Sequence, residues 1–258
     1  MKRKFGLIGF PLSHSFSRKF FNEKFVAEGI DAEYMNFELE NIAQLPHLIA
    51  SHPDLEGINV TIPYKEQVLT FLDSTDESAG NIRAVNTIRI HRTGHHVMLQ
   101  GYNTDIQGFQ ESIRPLIQKF QQKALVLGTG GASKAVTKAL ANLQIESILV
   151  SRNPEEKGEL SYGDLDEDVM DNYKIIVNTS PIGTYPNIEG CPSIPFELVT
   201  PKHLLFDLVY NPEVTEFLKL GKQKGAMIKN GREMLELQAL ASWEIWNRKG
   251  SHHDSKAE

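Results

Sequence analysis

Ala124-Leu125-Val126-Leu127-Gly128-Thr129-Gly130-Gly131-Ala132-Ser133 decides the fold. Four apolar residues suited to a short buried strand run straight into a glycine-rich turn, and residues 133–142 continue at helical spacing. A strand, such a turn and a helix open a βαβ unit. The glycines let backbone N–H groups approach a pyrophosphate at the helix N-terminus. The match to G-x-G-x-x-G/A is imperfect, because Ser133 takes the third glycine position. The next strand, residues 147–150, runs into Ser151-Arg152-Asn153, with no carboxylate before Glu155. A site for NAD usually offers Asp or Glu there to the ribose 2′-hydroxyl. A guanidinium with a neighbouring hydroxyl suits a 2′-phosphate instead, so NADP is favoured over NAD. The alternative, Arg152 as a solvated surface residue, stays open.

Outward from this unit, strands alternate with helices, which predicts an α/β protein with largely parallel sheets. Strands are expected over residues 5–10, 33–39, 57–62, 175–177 and 204–208. Phe16, Phe20, Phe21 and Phe25 recur at helical spacing, and residues 64–72 read as a helix after Pro63. Residues 84–91 and 96–101 flank Arg92-Thr93-Gly94 and read as a hairpin. Residues 231–247 form a long last helix with Trp243 and Trp246 as packing residues, followed by a polar, frayed tail over 250–258.

With 258 residues, one or two domains are expected. A net charge of −6 makes general nucleic-acid or anionic-membrane binding a poor fit. No apolar run approaches the ~18 residues of a membrane span. The Met1-Lys2-Arg3-Lys4 start reads as a basic cap on a buried first strand rather than a signal peptide. The single cysteine, Cys191, excludes an intrachain disulfide and multi-cysteine metal sites and fits a reducing cytoplasm. It sits between Gly190 and Pro192, with nothing basic beside it to make a nucleophile. His91, His95 and His96 flank the hairpin turn without an acidic cluster, and His252-His253 lies in the tail, so no metal is expected.

Polar groups concentrate at strand ends and helix starts in the first half. His14-Ser15-Phe16-Ser17 precedes the first helix, where two hydroxyls and the helix amides suit a carboxylate; an ordinary N-cap is the competing reading. Thr61 and Lys65 bracket a strand end, Asn86-Thr87 follows an apolar stretch, and Gly101-Tyr102-Asn103-Thr104-Asp105 leads into a helix. Lysine can move a proton at a reacting oxygen and an aspartate can orient it, as alcohol oxidation requires. Each of the two could equally be a surface charge or a cap.

In these blocks, taken in order, the sequence resembles the shikimate dehydrogenase family over nearly its whole length. The blocks are Gly9-Phe10-Pro11-Leu12-Ser13-His14-Ser15-Phe16-Ser17, Asn59-Val60-Thr61-Ile62-Pro63-Tyr64-Lys65, Ala84-Val85-Asn86-Thr87, Gly101-Tyr102-Asn103-Thr104-Asp105, the 128–133 turn and Gln238. The resemblance implies NADPH-dependent reduction of 3-dehydroshikimate to shikimate on the chorismate route to aromatic amino acids. It implies an α/β fold of two domains facing a cleft, a substrate-binding domain over 1–103 and a doubly wound Rossmann domain over 104–234. Residues 235–258 would return to the first domain.

Carried over by motif, Lys65 and Asp105 would form the catalytic pair. Ser15 and Ser17 would bind the substrate carboxylate, while Thr61, Asn86, Tyr210 and Gln238 would hold carboxylate or ring hydroxyls. Gly128, Thr129, Gly130, Gly131, Ala132, Ser151 and Arg152 would bind NADP, with Thr179, Leu208, Gly231 and Met234 on the nicotinamide side. Some positions depart from the family pattern. Arg18 replaces a frequent proline, Arg83 a small residue, and Ser151 and Asn153 flank Arg152 in place of asparagine and threonine. Arg152 thus carries most of the NADP preference. The resemblance leaves a quinate/shikimate dehydrogenase with broader cofactor use, a non-catalytic NADP-binding sensor and a folate dehydrogenase as alternatives. The expected partner is a small molecule, and the chain is expected to be a monomer or homodimer.

Overall fold

Phe5 and Leu7 of the first strand enter one apolar core and Ile8 enters another, so this strand is buried on both faces. The structure is a computed structural model that describes residues 2–12, 15–154 and 158–248. His14, Glu155 and the tail with His252-His253 lie outside the described residues.

The chain runs β1 (Arg3–Gly9), α1 (Phe16–Ala27), β2 (Ala32–Glu38), α2 (Leu45–Ser51), β3 (Leu55–Val60), β4 (Ser74–Thr75), α3 (Glu77–Ile82), β5 (Thr87–Thr93) and β6 (His96–Tyr102). These strands form one sheet in the order β2-β1-β3-β5-β6-β4. It is mixed rather than largely parallel. β1 pairs in parallel with β2 and β3, but β3–β5 and β5–β6 are antiparallel. The reason is local: Thr93 pairs with His96 across the two-residue turn Gly94-His95, and so short a connection can join only antiparallel strands. The turn therefore falls after Thr93, not at Arg92.

Residues 64–72 do not form the expected helix. A turn leads into a 3-10 segment over Gln67–Phe71. The Lys65 carbonyl accepts the Val85 N–H at 2.8 Å, so it is drawn to the distant segment before β5 rather than along a helix axis. The buried Tyr64 ring adds a tether, its hydroxyl donating to the Leu39 carbonyl.

The second half runs α4 (Asp105–Ile113), β7 (Lys123–Leu127), α5 (Gly131–Asn142), β8 (Glu146–Ser151), β9 (Leu160–Ser161), α6 (Glu167–Asn172), β10 (Ile175–Asn178), β11 (Leu204–Asp207), α7 (Glu216–Gln223), β12 (Met227–Lys229) and α8 (Arg232–Asn247). Its sheet, β12-β11-β10-β7-β8-β9, is parallel throughout. Successive residues of β7 and β10 enter opposite cores: Val126 and Val177 pack with α4 and α5, while Leu125 and Ile176 pack with α6 and α7. Helices on both faces of a parallel sheet make the doubly wound arrangement.

Helix α8 belongs to both cores. Met234 packs with Ile106 and Phe109 of the second half, whereas Ala239, Ile245 and Trp246 pack with Phe5, Phe21 and Tyr34 of the first. The Trp246 indole stacks on Phe5 at 4.8 Å between ring centroids and donates to the Ile88 carbonyl at 3.0 Å. Gly57 makes this possible, because a Cβ there would fall inside the Trp246 indole.

Candidate active site

Each sheet has a point where its strand order reverses, and ligands of such sheets bind outside the strand ends there. In the first sheet this point lies between β1 and β3. The segments that follow these two strands carry Ser15, Ser17, Thr61 and Lys65. In the second it lies between β7 and β10, followed by the 128–131 turn and Thr179. The two points face each other.

A cavity of about 500 Å³ lies over the first. Ser15, Ser17, Thr61, Lys65, Asn86, Asp105, Tyr210 and Gln238 line it, with Gln238 Oε1 accepting from the Asn86 amide at 3.4 Å. All eight residues singled out for substrate and chemistry thus border one cavity. Ser15 is also the N-cap of α1, its oxygen accepting the Arg18 N–H at 3.1 Å. That bond uses an acceptor, so the hydroxyl proton stays free for a ligand. Ser17 hydrogen-bonds to Tyr34, whose phenol is raised well above its ordinary pKa by burial and stays neutral. Tyr210 meets Phe16 edge-on at 5.8 Å, and burial raises its pKa, with Arg232 opposing.

The Lys65 ammonium donates to Asp105 Oδ2 at 2.6 Å. Asp105 opens α4, where the helix dipole favours a negative charge, and its other oxygen accepts the Asn86 amide at 2.9 Å. The carboxylate is therefore held from three sides and aims the lysine into the cavity. Such an arrangement can donate a proton to, or stabilise charge on, an oxygen bound there.

A second cavity, of about 810 Å³, adjoins the first. Gly128, Thr129, Gly130, Gly131 and Ala132 line it, as do Ser151, Arg152 and Thr179. Gly128 has φ +114°, a conformation that a side chain resists, and a Cβ there would come 3.0 Å from Thr179 Oγ1. Around Gly130 nothing lies within 4 Å of a Cβ position, and no side chain caps the start of α5. This bare helix N-terminus fits a pyrophosphate. A third cavity, of about 820 Å³, continues past Ser151, Arg152 and Asn153 along α5. Its lining mixes Thr129, Ser133 and Arg152 with Ile82, Ala141 and Leu149, which suits the adenosine end of a dinucleotide. Lys65 lines both the first and the second cavity, and the Gly131 Cβ position lies 3.8 Å from its side chain. Across the cleft, Lys134 of α5 pairs with Glu66 at 2.9 Å.

The remaining sequence-singled residues stand further back. Gly231 lies against the Leu208 backbone, close enough that a side chain would strike the Leu208 carbonyl, and Met234 is buried in the second core. Leu208, Gly231 and Met234 line neither the first nor the second cavity. Cys191 is half-buried and its thiol is pushed up to about 11 by burial, so it carries no thiolate.

Sequence reasoning assigned no role to Asn59, Thr87, Thr104 and Ser242, which form a buried polar layer behind Asn86 and Asp105. Asn59, Thr87 and Thr104 did offer a signal, as polar residues inside the quoted blocks. Ser242 offered none, since a serine on an amphipathic helix is unremarked.

Known proteins share this sequence pattern and this fold. Residues 7–88 match the model of the shikimate dehydrogenase substrate binding domain. A shikimate dehydrogenase (NADP(+)) of Methanosphaera stadtmanae is 35% identical over 97% of this chain and 93% of its own. The crystal structure of a shikimate dehydrogenase in complex with NADP+ superposes with a TM-score of 0.84 at 32% identity, over 95% of this chain and 90% of that one. The Thermus thermophilus enzyme in complex with NADP(H) and shikimate gives 0.82 at 30% identity, over 95% and 93%. A likeness of this extent, carried by both halves and the cleft between them, makes this chain a member of the shikimate dehydrogenase family of oxidoreductases.

Proposed function

We propose that this chain catalyses the reversible, NADPH-dependent reduction of 3-dehydroshikimate to shikimate, a step toward chorismate and the aromatic amino acids. The observation that carries this reading is the placing of Lys65, which lines both the larger cavity beside the glycine turn and the smaller one while held by Asp105. When bound, NADPH supplies the hydride to the substrate ketone. Gly128 to Ala132 would hold its pyrophosphate, Ser151 and Arg152 its 2′-phosphate, and Thr179, Leu208, Gly231 and Met234 would bound the nicotinamide side.

Ser15 and Ser17 donate to the substrate carboxylate. Thr61, Asn86, Tyr210 and Gln238 hold the ring and its hydroxyls. Lys65 protonates or stabilises the developing alkoxide, and Asp105 orients the lysine and the adjacent hydroxyl. Binding energy from the carboxylate end fixes the ring so that its ketone meets Lys65 in register.

We assign residues 1–103 and 235–258 to the substrate-binding unit and 104–234 to the nucleotide-binding unit. The support is that α8 packs its second half on β1 and α1. We place the enzyme in the cytoplasm as a monomer or homodimer; its single cysteine supports a reducing compartment, and no helix among the described residues is long and apolar enough to cross a membrane.

The test is NADPH oxidation followed by absorbance with 3-dehydroshikimate. Steady turnover supports the reading. No turnover by folded protein at millimolar substrate overturns it, and parallel assays with quinate and NADH measure how narrow the specificity is.

A further inference from the structure

The side chain of Ser242 is fully buried in the last helix, with no access to the substrate cavity. Its oxygen nevertheless sits at the crossing of the polar layer behind the site. It lies 3.0 Å from Asn59 Nδ2, 2.8 Å from Thr87 Oγ1 and 3.2 Å from Thr104 Oγ1. Its own proton goes to the Gln238 carbonyl, 2.9 Å away and one turn back. A hydroxyl has one proton to give, so toward β3, β5 and the start of α4 Ser242 acts as an acceptor only.

The same donors decide how Asn86 is held. Asn86 Oδ1 accepts the Thr104 N–H at 2.7 Å and has the Thr104 and Thr87 hydroxyls each at 3.1 Å. Three donors compete for the two lone pairs of this oxygen. Ser242 eases the competition by offering one threonine hydroxyl an acceptor other than Asn86 Oδ1, its second lone pair taking the Asn59 amide. Asn86 is then free to keep its amide toward Asp105 Oδ1 at 2.9 Å. On the far side, Asn59 Oδ1 accepts the Tyr34 hydroxyl at 2.7 Å, so the layer runs from Tyr34, beside Ser17, to Asp105.

We propose that Ser242 is a positioning residue for the Asn86–Asp105–Lys65 constellation, acting through the Thr87 and Thr104 hydroxyls. The proposal deepens the functional reading above and rests on it for its kinetic test. Removing the oxygen leaves Asn59 Nδ2 with the Asn86 carbonyl and Thr87 Oγ1, and takes from the Thr87 and Thr104 hydroxyls an acceptor that competes with Asn86 Oδ1. The Asn86 amide then tilts away from Asp105, and the lysine loses its aim.

The experiment compares the full chain with Ser242→Ala and with Ser242→Cys, which fills the same space with a poorer acceptor. With 3-dehydroshikimate and NADPH, kcat is expected to fall on the order of tenfold to a hundredfold in Ser242→Ala, with KM for NADPH unchanged. In the Asp105→Asn background the same substitution is expected to cost little more, because its route to the chemistry is already cut. A kcat within about twofold of the parent, or an undiminished further loss in the Asp105→Asn background, overturns the proposal. A second readout needs no turnover: the side-chain amide signal of Asn86 in a ¹⁵N–¹H spectrum shifts in Ser242→Ala and, to a lesser degree, in Ser242→Cys. An unmoved Asn86 signal overturns the proposal. A parent enzyme inactive on 3-dehydroshikimate, with a shifted Asn86 signal in the variants, sinks only the functional reading.

Discussion

Lys65, four residues beyond Thr61 at the end of β3, reaches Asp105 in the first turn of α4 with 2.6 Å between Nζ and Oδ2. Both side chains are mostly buried, at 18% and 8% exposure, yet the lysine still borders two cavities. A partly desolvated ion pair beside a ligand space acts more strongly on that ligand than it would in water. Lys65→Met is therefore expected to lower kcat by about 10²- to 10⁴-fold, with a much smaller change in KM for the substrate. Steady-state kinetics on folded variant checks this. An unchanged kcat removes Lys65 from the chemistry.

Arg152 stands at the end of β8, where the second and third cavities meet. Ser151 beside it is engaged locally, its oxygen accepting the Asn153 N–H at 3.2 Å. The guanidinium is then the main group left to recognise a 2′-phosphate. Charge-assisted bonds are worth about 1.5–3 kcal/mol, so Arg152→Ala is expected to raise KM for NADPH by roughly 10- to 100-fold and leave that for NADH nearly unchanged. Equal losses with both cofactors would show that the arginine does not read the phosphate.

The cofactor site was legible in the sequence for a physical reason, whereas the meeting of Lys65 with Asp105 was not, since the pair is separated by 40 residues of chain. A glycine turn between an apolar strand and a helix is local chemistry, and so is an arginine at the next strand end. The failure over residues 64–72 has the opposite cause: the carbonyl of Lys65 is claimed by Val85, a partner no local pattern reveals. The polar layer behind the site is more distant still. Ser242 meets Asn59 across 183 residues of chain, and only the return of α8 onto β3 brings them together. The resemblance to a family pointed to that return; periodicity alone did not.

Arg83 ends α3 with φ +52°, in the left-handed region that glycine tolerates at helix C-termini. A side chain there costs about 1 kcal/mol relative to glycine. Arg83→Gly is expected to stabilise the protein by roughly 0.5–1 kcal/mol, less the entropy that glycine adds to the unfolded chain. Denaturant unfolding checks it, and a clear loss of stability would mean that the Arg83 side chain makes contacts worth more than its strain.

Asp207, at the end of β11, supplies the pH dependence. Burial pushes its carboxyl up to about 6, only partly offset by the Thr215 hydroxyl, the Val209 N–H and the Asn178 amide. These donors lie at 2.5, 3.0 and 2.9 Å. The unfolded carboxyl titrates near its ordinary value of about 3.9. Between the two values the folded chain binds the proton that the unfolded chain has released, so this residue's contribution to stability falls as pH rises. It is fully present below about pH 4, is lost through pH 6, and differs by about 2–3 kcal/mol between those limits. Asp207→Asn removes the titrating group while an amide can still pair with Thr215 and accept from Val209. The stability of the parent minus that of the variant is thus expected to decline from pH 4 to pH 7 and then level off. Urea unfolding of both proteins at a series of pH values measures this difference. A difference that is flat, or that grows with pH, would mean that the Asp207 carboxylate is held charged by its three donors at a pKa no higher than in the unfolded chain.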